Sequence, residues 1–162
     1  MCIRDSRYGK PEITDAQVKE AAEVAQATEF IDTKPEKYKS PVSQGGTNVS
    51  GGQKQRLSIA RAIAKDPEIF IFDDSFSALD FKTDSQLRKA LKEYTKDATT
   101  VIVAQRISTI LGADQIIVLD DGHMAGIGTH KELMANCEVY QQIARSQLSE
   151  EELAWACLLY TS

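Results

Sequence analysis

Apolar residues recur at helical spacing in the first part of the chain, then give way to short continuous runs. In residues 14–27, TDAQVKEAAEVAQA, Val18, Ala21, Ala22 and Ala25 fall on one helical face. Thr14 followed by Gln17 has the spacing of a capping box. Residues 32–49 hold Pro35, Pro41 and Gly45-Gly46 and predict a connector. A second helix is predicted from about Ser50 to Lys65, burying Leu57, Ala60, Ile63 and Ala64, with Ser50 and Gln53 as its capping pair and Pro67 closing it. IFIF at 69–72 has the pattern of a strand buried on both faces, and it ends in Asp73-Asp74. Residues 82–96 predict a helix burying Leu87, Ala90, Leu91 and Tyr94, and TTVIVA at 99–104 a second buried strand. Strand, helix and strand at this spacing predict a βαβ unit with a right-handed crossover. QIIVLDDGHMAGIGT reads as a hairpin turning at Asp121-Gly122, and Thr129 with Glu132 caps a last helical region from about His130.

A helical third thus precedes an α/β portion, with boundaries expected at 11–66, 67–136 and 137–153. The 162 residues are 42% hydrophobic and 27% charged, which suits a globular domain with a sizeable core. A net charge of −5 argues against a general nucleic-acid binder, without excluding a nucleotide at one local site. No stretch approaches the about 20 apolar residues needed to span a bilayer, and no secretory leader is visible. Cys2, Cys137 and Cys157 are odd in number and lack metal-type spacing, which favours a reducing compartment. The ends MCIRDS (1–6) and CLLYTS (157–162) attach to no periodic segment and are expected to be foreign to the domain.

The candidate chemistry lies where elements begin and end. A helix N-terminus presents unpaired N–H groups and the positive pole of the helix dipole, so Ser50, Gly51, Gly52 and Gln53 form a potential phosphate seat. By itself SGG reads more readily as a flexible loop before an ordinary helix. Asp73, delivered to the end of an apolar strand, suits a Mg²⁺ partner beside a phosphate, and Asp74 a carboxylate that orients water. In isolation the pair is also a plausible turn before SFSALD.

Taken in order, SGGQ (50–53), IFIFDD (69–74), SALD (77–80) and VIVAQRIST (101–109) resemble the signature, Walker B, D-loop and switch of the ABC transporter nucleotide-binding domain. RYGKP before the first helix, SQGGTNVSGGQ, and GTHKEL after the hairpin are similar to exporter-type members. The resemblance covers about residues 7–153, with Val49 in place of the usual signature Leu. It implies a P-loop NTPase-like α/β fold, ATP and Mg²⁺ as ligands, and head-to-tail pairing with a second nucleotide-binding domain. Ser50, Gly51, Gly52 and Gln53 would then close on ATP held by the partner, with Asp80 in the D-loop. Val42–Asn48 would face the coupling helices of the transmembrane domains, placing the domain at the cytoplasmic face of the membrane.

Three departures refine that expectation. Asp74 stands where the family's catalytic Glu does, withdrawing the carboxylate by about 1.5 Å, one C–C bond. Gln105 replaces the switch His and cannot carry an imidazolium charge. Together they resemble the degenerate half of a heterodimeric exporter, with export of a drug or a lipid as the implied task. Finally, no GxxxxGK[ST] phosphate loop occurs, so the resemblance is to the C-terminal half of the domain. The piece alone is expected to bind ATP very weakly. Alternatives are a soluble ABC-superfamily ATPase of translation or DNA repair, and a non-hydrolysing regulatory module. Lesser candidates carry blander expectations: His130 at a helix start, His123 exposed on the hairpin, and Arg56 and Arg61 solvated or ion-paired.

Overall fold

The computed structural model describes residues 12–149. RYGKP, Cys2, Trp155, Cys157 and both suspect ends lie outside the described residues. The chain divides into two compact units, one ending at Val101 and the other beginning at Ile102.

In the first unit α1 (Asp15–Val24) starts from the expected capping box: Gln17 N donates to Thr14 Oγ1 at 3.3 Å while Thr14 N donates to Gln17 Oε1 at 2.9 Å. It ends before Gln26, whose φ of 55° lies in the left-handed region and breaks the helical path. A short α2 (Thr28–Asp32) follows, unanticipated by periodicity, and sinks Phe30 and Ile31 into the core. Helix α3 (Gly51–Ala64) packs against α1, and Ala21, Ala22, Ala60 and Ile63 of the two helices lie buried in one core. Small side chains here let two helix axes approach closely. Ile63 is 1% exposed, and Ile63→Ala is expected to cost about 2–5 kcal/mol of stability.

Strand β1 (Ile69–Asp73) and β2 (Thr99–Val103) are neighbours in a two-stranded sheet, with α4 (Phe81–Tyr94) connecting them. Both strands form where the apolar runs predict, but neither is buried on two sides. Phe70 and Phe72 point into the core, whereas Ile69 is 59% and Ile71 71% exposed. All five residues of β2 are exposed. Two-sided burial needs a layer on each face, and the described residues cover β1 on one face only. Leu57, Ala90 and Tyr94, expected inside, are half-buried at the margin of the core, while Ile59 takes a buried place instead.

In the second unit a short α5 (Ile107–Ile110) precedes the hairpin of β3 (Ile116–Asp120) and β4 (His123–Gly128). Asp121 and Gly122 both have positive φ, 45° and 78°, as the tight two-residue turn requires. Ile116 and Val118 are buried beneath α6 (His130–Asn136) and α7 (Glu138–Gln147), while Ile117, Leu119 and Met124 face out. Thr129 and Glu132 form the expected capping box. The final helical region is two helices rather than one, because Cys137 adopts an extended conformation between them.

Apolar side chains left open on β1, and separately on the hairpin, make self-association the expected behaviour of this chain alone at micromolar concentration. Light scattering should show mass rising with concentration, and Ile71→Lys should reduce it. A monodisperse monomer that melts cooperatively would contradict this.

Candidate functional site

The N-terminal tip of α3 is open. Ser50, extended at φ −68° and ψ 166°, and Gly51 are exposed, and Gly52 and Gln53 are half-buried. Gln53 N donates to Ser50 Oγ at 3.2 Å, and Ser50 N donates to Gln53 Oε1 at 3.1 Å. This capping box uses the polar side chains, so Gly51 and Gly52 contribute the N–H groups that helix geometry leaves without an intrahelical acceptor. An anion could meet backbone N–H and the positive dipole end there.

Gly52 also has an internal reason to be glycine. A Cβ built on it would lie 2.9 Å from the Ala78 carbonyl oxygen, a backbone atom that cannot swing away. At Gly51 the nearest contact would be Ala78 Cβ at an ordinary 3.5 Å. The helix tip and the loop after β1 are therefore pressed together at one glycine, a contact that sequence alone did not disclose.

That loop runs from Asp74 to Asp80. Phe76 and Leu79 anchor it in the core, with the Phe76 ring 5.6 Å from that of Phe72. Asp73, Asp74, Ser77, Ala78 and Asp80 remain exposed. Asp74 sits at φ 47°, a left-handed conformation that Asp tolerates better than most residues. Its Oδ2 accepts from Ser77 Oγ at 3.1 Å. Gln55, from α3, meets the same loop: its Oε1 accepts from Ala78 N at 3.0 Å, and its Nε2 donates to Asp74 O at 3.1 Å and Ser77 Oγ at 3.0 Å.

Asp80 N-caps α4, accepting from Thr83 N at 3.0 Å and from Thr83 Oγ1 at 2.7 Å. The backbone bond from Thr83, followed by the hydroxyl bond, holds its carboxyl below the usual carboxylate range. No trio of His, Cys, Asp or Glu among the described residues gathers to hold a metal by itself. A lone carboxylate such as Asp73 nevertheless fits Mg²⁺, which is commonly held by one or two carboxylates together with waters and substrate phosphates.

Gln105 belongs to the second unit, exposed beyond β2. Its carbonyl accepts from Gln147 Nε2 at 2.8 Å, and Ile107 N donates to Gln147 Oε1 at 2.9 Å. One amide at the end of α7 thereby fixes the backbone on both sides of Arg106. The 40-residue separation of Ile107 and Gln147 left no local signal of this in the sequence.

Two lesser candidates gain definite roles. Arg56, half-buried, donates from Nη1 to Gln26 O at 2.7 Å and lies 4.9 Å above the Phe30 ring. His130 starts α6 as expected but is 2% exposed, sharing a 2.8 Å hydrogen bond between Nδ1 and Tyr140 OH. Its Nε2 is buried without a hydrogen-bond partner among the described residues. Burial lowers its pKa from 6.5, so the unfolded chain takes up more protons as pH falls below that value. Stability is expected to decline from about pH 6.5 downward, by up to about 1.4 kcal/mol per pH unit. Urea unfolding at low protein concentration should show this slope, and His130→Gln should flatten it. An unchanged slope in the variant would contradict the assignment.

Residues 41–48 form a loop tied by Asn48. Its Nδ2 donates to Pro41 O at 2.8 Å and its Oδ1 accepts from Ser43 N at 3.0 Å. Lys54 Nζ donates to Gly45 O at 2.8 Å. A groove of about 490 Å³ opens beside it, lined in part by Val42, Gly46, Val49, Leu57 and Arg61.

Comparison with known proteins places these features in a family. A model of the ABC transporter family matches residues 4–77. An ABC transporter ATP-binding protein of Mycobacterium tuberculosis is 47% identical over 135 residues, which is 83% of this chain and 23% of that protein. A Staphylococcus aureus protein, named for multidrug export as an ATP-binding/permease protein, matches at the same identity and the same shares. The solved structure of a bacterial Atm1-family ABC exporter with ATP bound superposes with a TM-score of 0.87 at 35% identity, covering 92% of this chain and 26% of that one. The chain thus spans about a quarter of the length of these proteins. No helix among the described residues is long and apolar enough to cross a membrane.

Proposed function

Because this chain belongs to the ABC transporter family and carries part of its α/β, P-loop NTPase-like ATPase fold, we propose that it works as the signature-bearing portion of an exporter's ATP-binding domain. The observation that carries this reading is the open tip of α3, where Ser50 and Gly51 are exposed at the positive end of a helix. In the paired transporter, Ser50, Gly51, Gly52 and Gln53 meet the γ-phosphate of ATP bound to the partner domain. The Gly51 and Gly52 N–H groups supply donors already oriented toward developing negative charge, which is where fixed dipoles lower a barrier most.

The chain's own half-site is built on Asp73 and Asp74. Asp73 would hold Mg²⁺ through water, and the ion would offset phosphate charge when bound. Asp74 is short for a general base and is turned toward Ser77, and Gln105 brings no imidazolium charge. The own site therefore binds ATP and turns it over slowly or not at all, while the partner's site hydrolyses. This asymmetry makes the transporter a heterodimer, fixed to the cytoplasmic face of the membrane by transmembrane domains. The loop Val42–Asn48 meets their coupling helices. The cargo of this reading is a drug-like or lipid molecule, and multidrug export is the task in the name of the Staphylococcus aureus relative. A soluble ATPase of translation or DNA repair is the weaker reading, since the relatives and the solved neighbour are transporters.

Cysteine cross-linking in the full-length transporter tests the pairing. Gly51→Cys should cross-link to a cysteine beside the partner's phosphate loop when ATP is present, and not without nucleotide. Failure to cross-link while ATP is being consumed would refute the head-to-tail arrangement.

A further inference from the structure

The amide of Gln55 leaves little freedom in how it is used. The Ala78 N–H needs an acceptor, so Oε1 faces it, and Nε2 is thereby directed at Asp74 O and Ser77 Oγ. Receiving that donor, the Ser77 hydroxyl directs its own hydrogen toward Asp74, at 3.2 Å from the carbonyl and 3.1 Å from Oδ2. The chain of contacts runs from the third turn-forming position after the tip glycines, through one side chain, to the Asp74 carboxylate. Gln55 lies four residues beyond Gly51, about 6 Å along the helix axis. The same loop is pressed on the tip at Gly52, where Ala78 O leaves no room for a Cβ.

We propose that Gln55 is a positioning residue that binds the tip of α3 and the Asp74 carboxylate into one body, so that phosphate docking at the tip sets the carboxylate at the end of β1. This rests on the reading above, in which the tip and Asp74 serve two different ATP sites of the pair. A movement of the tip toward the partner's nucleotide then carries the Asp74 loop with it through three hydrogen bonds. Gln55 couples the two sites without touching either nucleotide.

The test uses the full-length transporter with its partner, comparing wild type with Gln55→Leu, which keeps size but loses every polar atom, and Gln55→Glu, which keeps the acceptor for Ala78 N–H and loses the donor. Two readouts are needed. Amide exchange at Ala78 should quicken in Gln55→Leu and stay near wild type in Gln55→Glu. Fluorescent-ATP titration of the site over Asp73 should show, in wild type, an affinity shift of roughly 5–150-fold when the partner's site is filled. Gln55→Leu should reduce that shift to about onefold, Gln55→Glu should leave it intermediate, and neither should alter the affinity measured with the partner's site empty by more than about twofold. Unchanged Ala78 exchange in Gln55→Leu overturns the link itself. Faster exchange with the full shift retained overturns the coupling and leaves Gln55 a loop brace. An absent Gly51→Cys cross-link overturns the parent reading instead, so the two failures are distinguishable.

Discussion

Gly52→Asp in the full-length transporter is expected to lower kcat at the partner's ATP site by roughly 10²–10³-fold, as much as losing one preorganised donor costs a reacting centre, because the N–H is displaced and its phosphate repelled. Two separate effects converge on the substitution. Its Cβ would meet Ala78 O at 2.9 Å, so either the tip or the loop after β1 must shift. Its carboxylate would also lie at the pole that attracts the phosphate and would repel it. The neighbouring glycine separates these effects. Gly51 has room for a Cβ, so Gly51→Ala should leave the melting temperature unchanged while weakening phosphate approach. Gly52→Ala should cost about 1–3 kcal/mol through overpacking, with hydrolysis falling in step. Steady-state ATPase and thermal melts of the three variants give the comparison. Equal effects of Ala at both positions would mean that contact with Ala78 does not matter.

Asp74→Glu is expected to raise hydrolysis at the chain's own site by about 10²-fold, within the range a well-placed general base contributes. The added methylene carries the carboxylate about 1.5 Å further from the backbone, away from the Ser77 hydroxyl that now holds it. A cost in stability accompanies the gain, because φ at position 74 is 47° and Glu suits the left-handed region less well than Asp. Single-site turnover, measured with the partner's site inactivated, checks this. No gain would show that the length of this side chain does not limit the site.

What could be read from the residues in order was mainly local. The capping boxes at Thr14, Ser50 and Thr129 and the turn at Asp121-Gly122 involve partners within three residues, so spacing alone determines them. The strands were legible as strands, but their burial was not, because cover on a sheet face comes from elements distant in sequence. Helix interruptions at Gln26 and Cys137 were also hidden, since neither residue is a strong breaker. At the candidate site the motifs stood out by residue type, whereas the contacts that organise them did not. Gln55 reaches Ala78 across 23 residues, Gln147 reaches Gln105 across 42, and Arg56 reaches Gln26 across 30. Long polar side chains make such links without leaving any periodic trace. The bareness of Gly52 had an obvious reading in a docking phosphate, and the close backbone of Ala78 supplies a second.

Vanadate trapping of radiolabelled nucleotide in the full-length transporter with its partner, followed by separation of the two chains, tests the proposed asymmetry most directly. Label is expected on the partner chain, and Gly52→Asp in this chain should abolish it. Label accumulating chiefly on this chain, over Asp73 and Asp74, would contradict the division of labour between a donated signature and a slow site of its own.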